Sequence, residues 1–227
     1  MPRTLNLAVH TVRREAFVEA ALRLMQAKGY EGMSVQDVLD ELDVSRGAFY
    51  HYFDSKQALL EAVIDRMVDA GLAEVAPIAN DRDLPALRKL EQVFSGIGRW
   101  KTERRSLVLA LLTVWLSDEN AIVREKFRRT MVQRLVPLLS PIIQQGIDEG
   151  TFQAGPAEET ARLFVMVLQG YQEIATDLFL DRQAGRIDLP VVEQTFAAYG
   201  AAIERILGAP VGSIHVIDRT VMSAWFG

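Results

Sequence analysis

The sequence predicts an all-α fold: an N-terminal three-helix helix-turn-helix head joined by a linker helix to a larger C-terminal helical domain. Apolar residues recur at three- and four-residue spacing along most of the chain, and no stretch alternates with the period of two that marks a half-buried strand. Proline and glycine punctuate these runs throughout residues 73–208. Residues 33–56, MSVQDVLDELDVSRGAFYHYFDSK, set two short amphipathic helices, a tight break and an aromatic-basic cluster within 24 positions, the layout of a helix-turn-helix.

In chain order, Phe17, Ala20, Ala21, Leu24 and Met25 form the stripe of a first helix that closes at Gly29, a C-cap residue, and covers the two helices after it. A disordered N-terminus is expected over residues 1–10 in the absence of DNA. Ser34 is the expected N-cap of the second helix, with Asp37 adding negative charge to the positive end of its dipole. Val35, Val38, Leu39 and Leu42 supply that helix's buried stripe. Asp43 ends it, at a turn that asks for positive φ, which aspartate adopts at modest cost. Ser45 can cap the third helix, where Phe49 and Phe53 share one face toward the core and Arg46, Gly47, Ala48, Tyr50 and His51 are left outward.

Two cations sit against the usual helix electrostatics, because Arg46 opens the third helix and Lys56 the fourth, each beside a positive dipole end. A phosphate resolves both, since it accepts from the free N-terminal amides and from the adjacent cation at once. Tyr50 and His51 can add neutral hydrogen bonds to the same backbone. The alternative is that the cations are merely solvated and that Tyr50 and His51 are half-buried packing residues.

From the long first helix to the start of the fourth, the chain resembles the TetR (tetracycline-repressor) family of bacterial transcription regulators, over about its first third. The resemblance implies that Ser34, Ser45, Arg46, Tyr50, His51 and Lys56 touch double-stranded DNA, mostly at phosphates, with Arg46, Gly47 and Ala48 nearest the bases. Where the family commonly has alanine in its second helix and an alanine-glycine pair at the turn, this chain has Leu39, Leu42 and Asp43, a bulkier interior and a less free turn. Arg3, Arg13 and Arg14 lie where a basic arm could reach flanking phosphates or a minor groove.

Charge limits how such a protein binds. The chain carries 25 Lys plus Arg against 30 Asp plus Glu, a net charge of −5, and residues 1–56 hold seven basic against eight acidic residues. It is no general polyanion binder, so recognition must come from a local cluster. One head makes too few contacts for a tight site, so a two-fold dimer reading half-sites about 34 Å apart on a palindromic operator is the physical expectation.

The expected domains are residues 1–56 for the DNA-binding head, 57–208 for a helical effector-binding and dimerisation domain whose linker helix covers 57–75, and 209–227 for a C-terminal tail that docks on the body or hangs loose. The linker helix, read over 55–75, carries Leu59, Leu60, Val63, Ile64, Met67 and Val68 and stops before Pro77. Further helices are expected near 84–99, 104–116, 118–149, 157–180 and 189–207, with Pro137 and Pro141 kinking or splitting the fourth of these.

The last two helices look apolar enough for burial on two sides. Phe164, Val165, Leu168, Tyr171, Ala175, Leu178 and Phe179 line one, and Val192, Phe196, Tyr199, Ile203 and Ile206 the other, with Gly200, Ala201 and Ala202 permitting close approach. A four-helix interface in a homodimer fits these stripes and is what the resemblance implies; an ordinary intrachain face fits the periodicity equally. The resemblance also implies a cavity for a small-molecule effector, for which Phe94, Trp100, Trp115, Phe127, Met131, Met166 and Gln169 are candidate lining residues. Aromatics and methionines at helical spacing are more often core than ligand box. Gln169, polar within an apolar run, is the most suggestive of them, because a buried amide wants a partner.

There is no cysteine, and His10, His51 and His215 form no metal-ligand spacing, so no metal and no cofactor is expected. No glycine-rich phosphate loop or nucleophile elbow appears, which argues against an enzyme. The longest apolar run, residues 107–116, is too short to span a bilayer and no signal peptide is read, so the chain is expected to be soluble and cytoplasmic with no membrane partner. These readings point to a ligand-responsive DNA-binding transcriptional regulator, a repressor released by a small-molecule effector. The alternatives are an all-helical carrier or enzyme without DNA binding, or an activator using the same head.

Overall fold

The computed structural model describes residues 2–227, with side chains from His10 onward apart from Thr113. Ten α-helices follow one another: α1 Pro2–Gly32, α2 Val35–Leu42, α3 Arg46–Tyr50, α4 Lys56–Asn80, α5 Ala86–Glu103, α6 Arg105–Leu116, α7 Ala121–Asp148, α8 Ala157–Gln183, α9 Leu189–Leu207 and α10 Arg219–Phe226, with a 3-10 turn at Asp118–Asn120 before α7. No strand occurs among the described residues. No single helix among them is long and apolar enough to cross a membrane.

The chain forms two compact units. The first comprises Met1–Ala70 with Arg104–Phe127, and the second Gly71–Glu103 with Arg128–Gly227. The first is therefore larger than a head ending at residue 56, because α6 packs along α1 and contributes Val114 to the same core. In that core Phe17, Phe49 and Phe53 pack edge-on or tilted with ring centroids 5.7 to 6.1 Å apart, over Met25, Val38, Leu39, Leu59 and Leu60. Burial of one such ring stabilises by about 2 to 3 kcal/mol. The stripes read from α1, α2 and α4 therefore converge on one centre. Arg3, a candidate arm residue, lies outside the described side chains. The backbone is helical from Pro2, where a disordered start was expected, and proline suits a first helical position because its missing N–H would have no partner there.

In the second unit, α8 and α9 pack against each other, and α10 lies against α5 and α8. Phe164, Val192, Phe196, Ile203 and Leu207 are wholly or almost wholly buried there, with Leu139, Ile142 and Ile143 of α7.

Prolines change less than the sequence suggests. α4 continues through Pro77 to Asn80 instead of stopping before it, and α7 is one unbroken helix through Pro137 and Pro141. All three are exposed, as are Ala73 and Gln133, whose carbonyls lose their helical N–H partner to Pro77 and Pro137. Water can replace the missing donor on a solvent face, so the helix survives.

Of the two alternatives open for the tail, the structure shows the docked one. Asp218 caps α10 by accepting from the Val221 amide at 2.8 Å, the Trp225 indole donates to Thr102 Oγ1 at 2.9 Å, and Arg182 donates to the Phe226 carbonyl at 3.1 Å. Glycine admits it: a β-carbon at Gly200 would stand 2.6 Å from the Ile214 carbonyl oxygen, and one at Gly98 would stand 2.9 Å from Val221.

Candidate nucleic-acid interface

The head is assembled by local rules visible in its residues. The Ser34 hydroxyl accepts from the Asp37 amide at 3.1 Å, and the Asp37 carboxylate accepts in return from the Ser34 amide at 2.7 Å, a complete capping box. Lys28 approaches that carboxylate to 2.7 Å, and the Lys28 ammonium followed by the Ser34 hydroxyl holds Asp37 well below the usual carboxylate range. Since Ser34 also donates to Asp37 Oδ2 at 2.7 Å, its hydroxyl is committed as a cap in the free protein.

Asp43 is the one non-glycine residue with positive φ among the described residues, at 51°. The Val44 amide reaches back to the Leu39 carbonyl at 3.1 Å and the Asp43 amide to Asp40 at 3.4 Å, so the turn is a Schellman closure built on aspartate. The bulky Leu39 is 3 % exposed, which shows that the head accommodates it.

After the turn, Ser45 caps α3 with a long 3.4 Å contact from the Ala48 amide. Phe49 is fully buried while Tyr50 is 45 % exposed, so α3 is turned as its pattern requires. Arg46, Gly47, Tyr50 and His51 are exposed, and Ala48 and Lys56 are half-buried. The Arg46 guanidinium lies 5.7 Å from the Tyr50 ring centroid. Lys56 is not merely solvated: its ammonium sits 4.0 Å from the centroid of Tyr30. Burial, then the negative charges of Glu31 and Glu119, pushes the Tyr30 phenol up to about 12. His51 caps α3 and faces His10 at 5.6 Å and Tyr52 at 4.9 Å between ring centroids. Sequence reasoning missed the Tyr30 and His10 contacts, which bring together residues far apart in the chain and leave no periodic trace.

Charge pairing sharpens this face. Arg23 bonds Glu41 at 2.7 Å, Lys28 bonds Asp37 at 2.7 Å, and Arg66 bonds Glu15 and Glu19 at 3.0 and 2.7 Å. Arg66 thereby lowers the Glu19 carboxyl. These exposed pairs add little stability, but they occupy carboxylates that would otherwise oppose a phosphate. Among the described residues, Arg13, Arg46 and Lys56 have no carboxylate partner. Arg46, Tyr50 and His51 thus form an exposed patch of a cation, a phenol and an imidazole on α3, with the half-buried Lys56 opening α4.

The candidate effector residues are not brought together as one set. Trp115 and Phe127 belong to the first unit, their rings 4.9 Å apart. Phe94, Trp100, Met131, Met166 and Gln169 belong to the second. Phe94 faces Phe164 with ring centroids 6.0 Å apart, and Trp100 is 8 % exposed beside Gly71. Two expectations need correction. The Gln169 amide already has its partner, accepting from the Arg128 guanidinium at 3.3 Å and donating to the Arg128 carbonyl at 2.8 Å. Met166 is 53 % exposed and therefore lines no closed cavity.

Three of the six dimer candidates need correction as well. Phe164, Phe196 and Ile203 are buried within the chain itself, and Tyr171 lies 5.2 Å from Phe196 and 5.7 Å from Tyr199 between ring centroids. Burial raises the Tyr171 phenol. Leu168, Tyr171 and Tyr199 are half-buried. Phe164, Phe196 and Ile203 thus belong to this chain's own core, beside Phe226, whose ring is 5.3 Å from Phe196. The outward apolar residues of α8 are Leu163 and Met166, 60 % and 53 % exposed, three apart on one face.

Residues 17–63 match the model of the family described as bacterial regulatory proteins, tetR family. The chain is 28 % identical over 179 residues to an uncharacterised HTH-type transcriptional regulator, YfiR, of Bacillus subtilis (strain 168), covering 77 % of this chain and 84 % of that one. It is 25 % identical over 153 residues to the HTH-type transcriptional repressor DhaR of Mycobacterium sp. (strain GP1), covering 67 % and 76 %. Its fold is similar to that of a TetR transcription regulator from Haloarcula marismortui ATCC 43049, with TM-score 0.59, 23 % identity, and coverage of 74 % of this chain and 88 % of that one.

Proposed function

Because the chain belongs to the TetR family of bacterial regulatory proteins, we propose that it is a ligand-responsive transcriptional repressor that binds a palindromic DNA operator as a homodimer. A small-molecule effector held in the second unit releases it. The observation that carries this reading is the head itself: a capped α2, an αL turn at Asp43, and an α3 that buries Phe49 while presenting Arg46, Tyr50 and His51.

In this reading α3 enters the major groove with Arg46, Gly47 and Ala48 nearest the base edges. Tyr50, His51, Lys56 and Ser45 bond phosphates, which set register and carry no sequence information. Ser34 joins them only by exchanging its Asp37 contact for a phosphate oxygen. Two copies associate through the outward face of α8, with Leu163 and Met166 at its centre. Because α4 runs from Lys56 to Asn80 with residues in both units, a change in the second unit can move the first residue of α4 and with it Lys56. An effector that favours the released state by about 1 to 3 kcal/mol lowers operator affinity roughly 5- to 150-fold, and DNA lowers effector affinity by the same factor.

The test is binding of the purified protein to its own upstream DNA at stated salt, beside Tyr50→Ala and Lys56→Ala with circular dichroism as the folding control. Palindrome-dependent binding weakened in both folded variants supports the reading. Affinity unchanged in both removes the assigned face.

A further inference from the structure

We infer that Lys101 is the anion-binding group of a small-molecule site in the second unit, and that its ligand joins a carboxylate or similar organic anion to an apolar body. This deepens the effector reading and rests on it.

The position of Lys101 comes from the spacing of α5. Phe94, Ile97 and Lys101 stand three and four residues apart on one face of that helix. Phe94 meets the Phe164 ring of α8 at 6.0 Å, and Ile97 meets Gly71 of α4, its Cδ1 3.7 Å from where a β-carbon would stand. The side of α5 bearing Gly98 and Thr102 is covered instead by Val221 and Trp225 of α10. Lys101 thus extends an inward apolar face and does not sit on a solvated one.

Its ammonium has no partner there. Among the described residues no hydrogen bond or ion pair engages Lys101, whereas two other cations of the same unit that are buried or half-buried have partners: Lys89, 5 % exposed, donates to Gln145 Oε1 at 2.6 Å, and Arg182 donates to the Phe226 carbonyl at 3.1 Å. Burial alone pulls the Lys101 ammonium below the usual lysine range, with no carboxylate opposing it. Among the described residues, no fully enclosed side-chain nitrogen or oxygen lacks a partner, so the ammonium keeps an opening. A half-buried, unpaired and still reachable ammonium at the end of an aromatic-aliphatic stripe is an arrangement that an amphiphilic anion completes, because it supplies the missing charge and covers the apolar face together.

Calorimetric titration at pH 7.5 with 2-naphthoate and with its uncharged isostere 2-naphthamide tests this, on the full-length protein and on Lys101→Met. Methionine keeps the length and apolar stem of the side chain, and removal of an unpaired buried charge leaves the fold intact, which circular dichroism checks. Wild type is expected to prefer the carboxylate by about tenfold or more, and Lys101→Met to bind the two equally. On reductively 13C-methylated protein, the Lys101 resonance should move with naphthoate and stay with naphthamide. Equal affinities in wild type, a carboxylate preference that persists in Lys101→Met, or no naphthoate binding by folded protein would each overturn the proposal. Binding of the probe-free wild type and variant to upstream DNA, measured on the same samples, separates the two readings. Loss of DNA binding with a Lys101-dependent anion preference retained would fail the regulator reading alone, and the converse would fail the anion site alone.

Discussion

The ammonium of Lys56 rests 4.0 Å from the centroid of the Tyr30 ring, so the cation that opens α4 is held by an aromatic near the end of α1. Replacing Tyr30 by leucine keeps most of the buried apolar volume and removes the π face. Operator affinity is expected to fall about three- to tenfold, close to the loss in Lys56→Ala, and the double variant should fall no further, as gel-shift titration of the cycle would read. The same ring reports on alkaline stability. The buried neutral phenol belongs to the folded state and its folded value of about 12 lies above the ordinary value near 10. Its contribution is complete below pH 10 and is lost as the pH rises through 12. Chemical unfolding between pH 9 and 12 should therefore steepen in wild type relative to Tyr30→Phe, by on the order of 2 kcal/mol.

Asp43 carries φ of 51°, a conformation that glycine takes freely. Asp43→Gly is expected to stabilise the protein by about 0.5 kcal/mol and Asp43→Val to destabilise it by about 1 to 2 kcal/mol, without change in the denaturant slope. At the other end of α2, Ser34→Ala removes the cap and should lower stability by about 1 kcal/mol. Urea unfolding followed by far-ultraviolet dichroism measures all three. A Ser34→Ala protein as stable as wild type would mean that the hydroxyl is free for other work.

Much of the head was legible because its rules are local. Ser34, Asp37, Asp43 and Gly29 each act within five residues of themselves, and the alternation of buried Phe49 with exposed Tyr50 follows from helical spacing alone. The second unit was legible in element and not in partner. α9 begins and ends at residues 189 and 207 as its pattern indicates, yet the same pattern cannot say that Phe196 and Ile203 face this chain's own α8 and α10 instead of a second copy. Periodicity identifies a buried face without naming what buries it. Gln169 illustrates the same limit, since its partner Arg128 lies 41 residues away.

With the inward stripe assigned to the core, association of two chains should depend on Leu163 and Met166. The double substitution Leu163→Glu, Met166→Glu is expected to shift sedimentation from dimer to monomer while dichroism and thermal midpoint change little. Phe196→Ala, by contrast, should destabilise the fold by about 3 to 5 kcal/mol before any effect on assembly. A folded double-glutamate variant that remains dimeric would exclude the outward face of α8 as the interface.

Gly200 sits under the Ile214 carbonyl, with space for no β-carbon, and the neighbouring Glu204 carboxylate accepts from the Ile214 amide at 2.9 Å while 6 % exposed. Gly200→Ala must push this segment off α9. The expected signs are faster proteolysis beyond residue 208 and a red-shifted Trp225 emission, as the indole leaves Thr102. Trp225→Phe supplies the baseline against Trp100 and Trp115.

The division of the chain into interleaved units sets the order in which it can be made. Residues 71–103 leave the ribosome before residues 104–127, yet they belong to the other unit, so the first core stays open at Val114 and Val123 while a helix of its neighbour hangs between its pieces. The second core waits longer still, until Phe226 closes over Phe196. Neither half can finish during its own synthesis, and the nascent chain carries bare apolar helices through most of translation, the stage at which a holding chaperone would have most to shield.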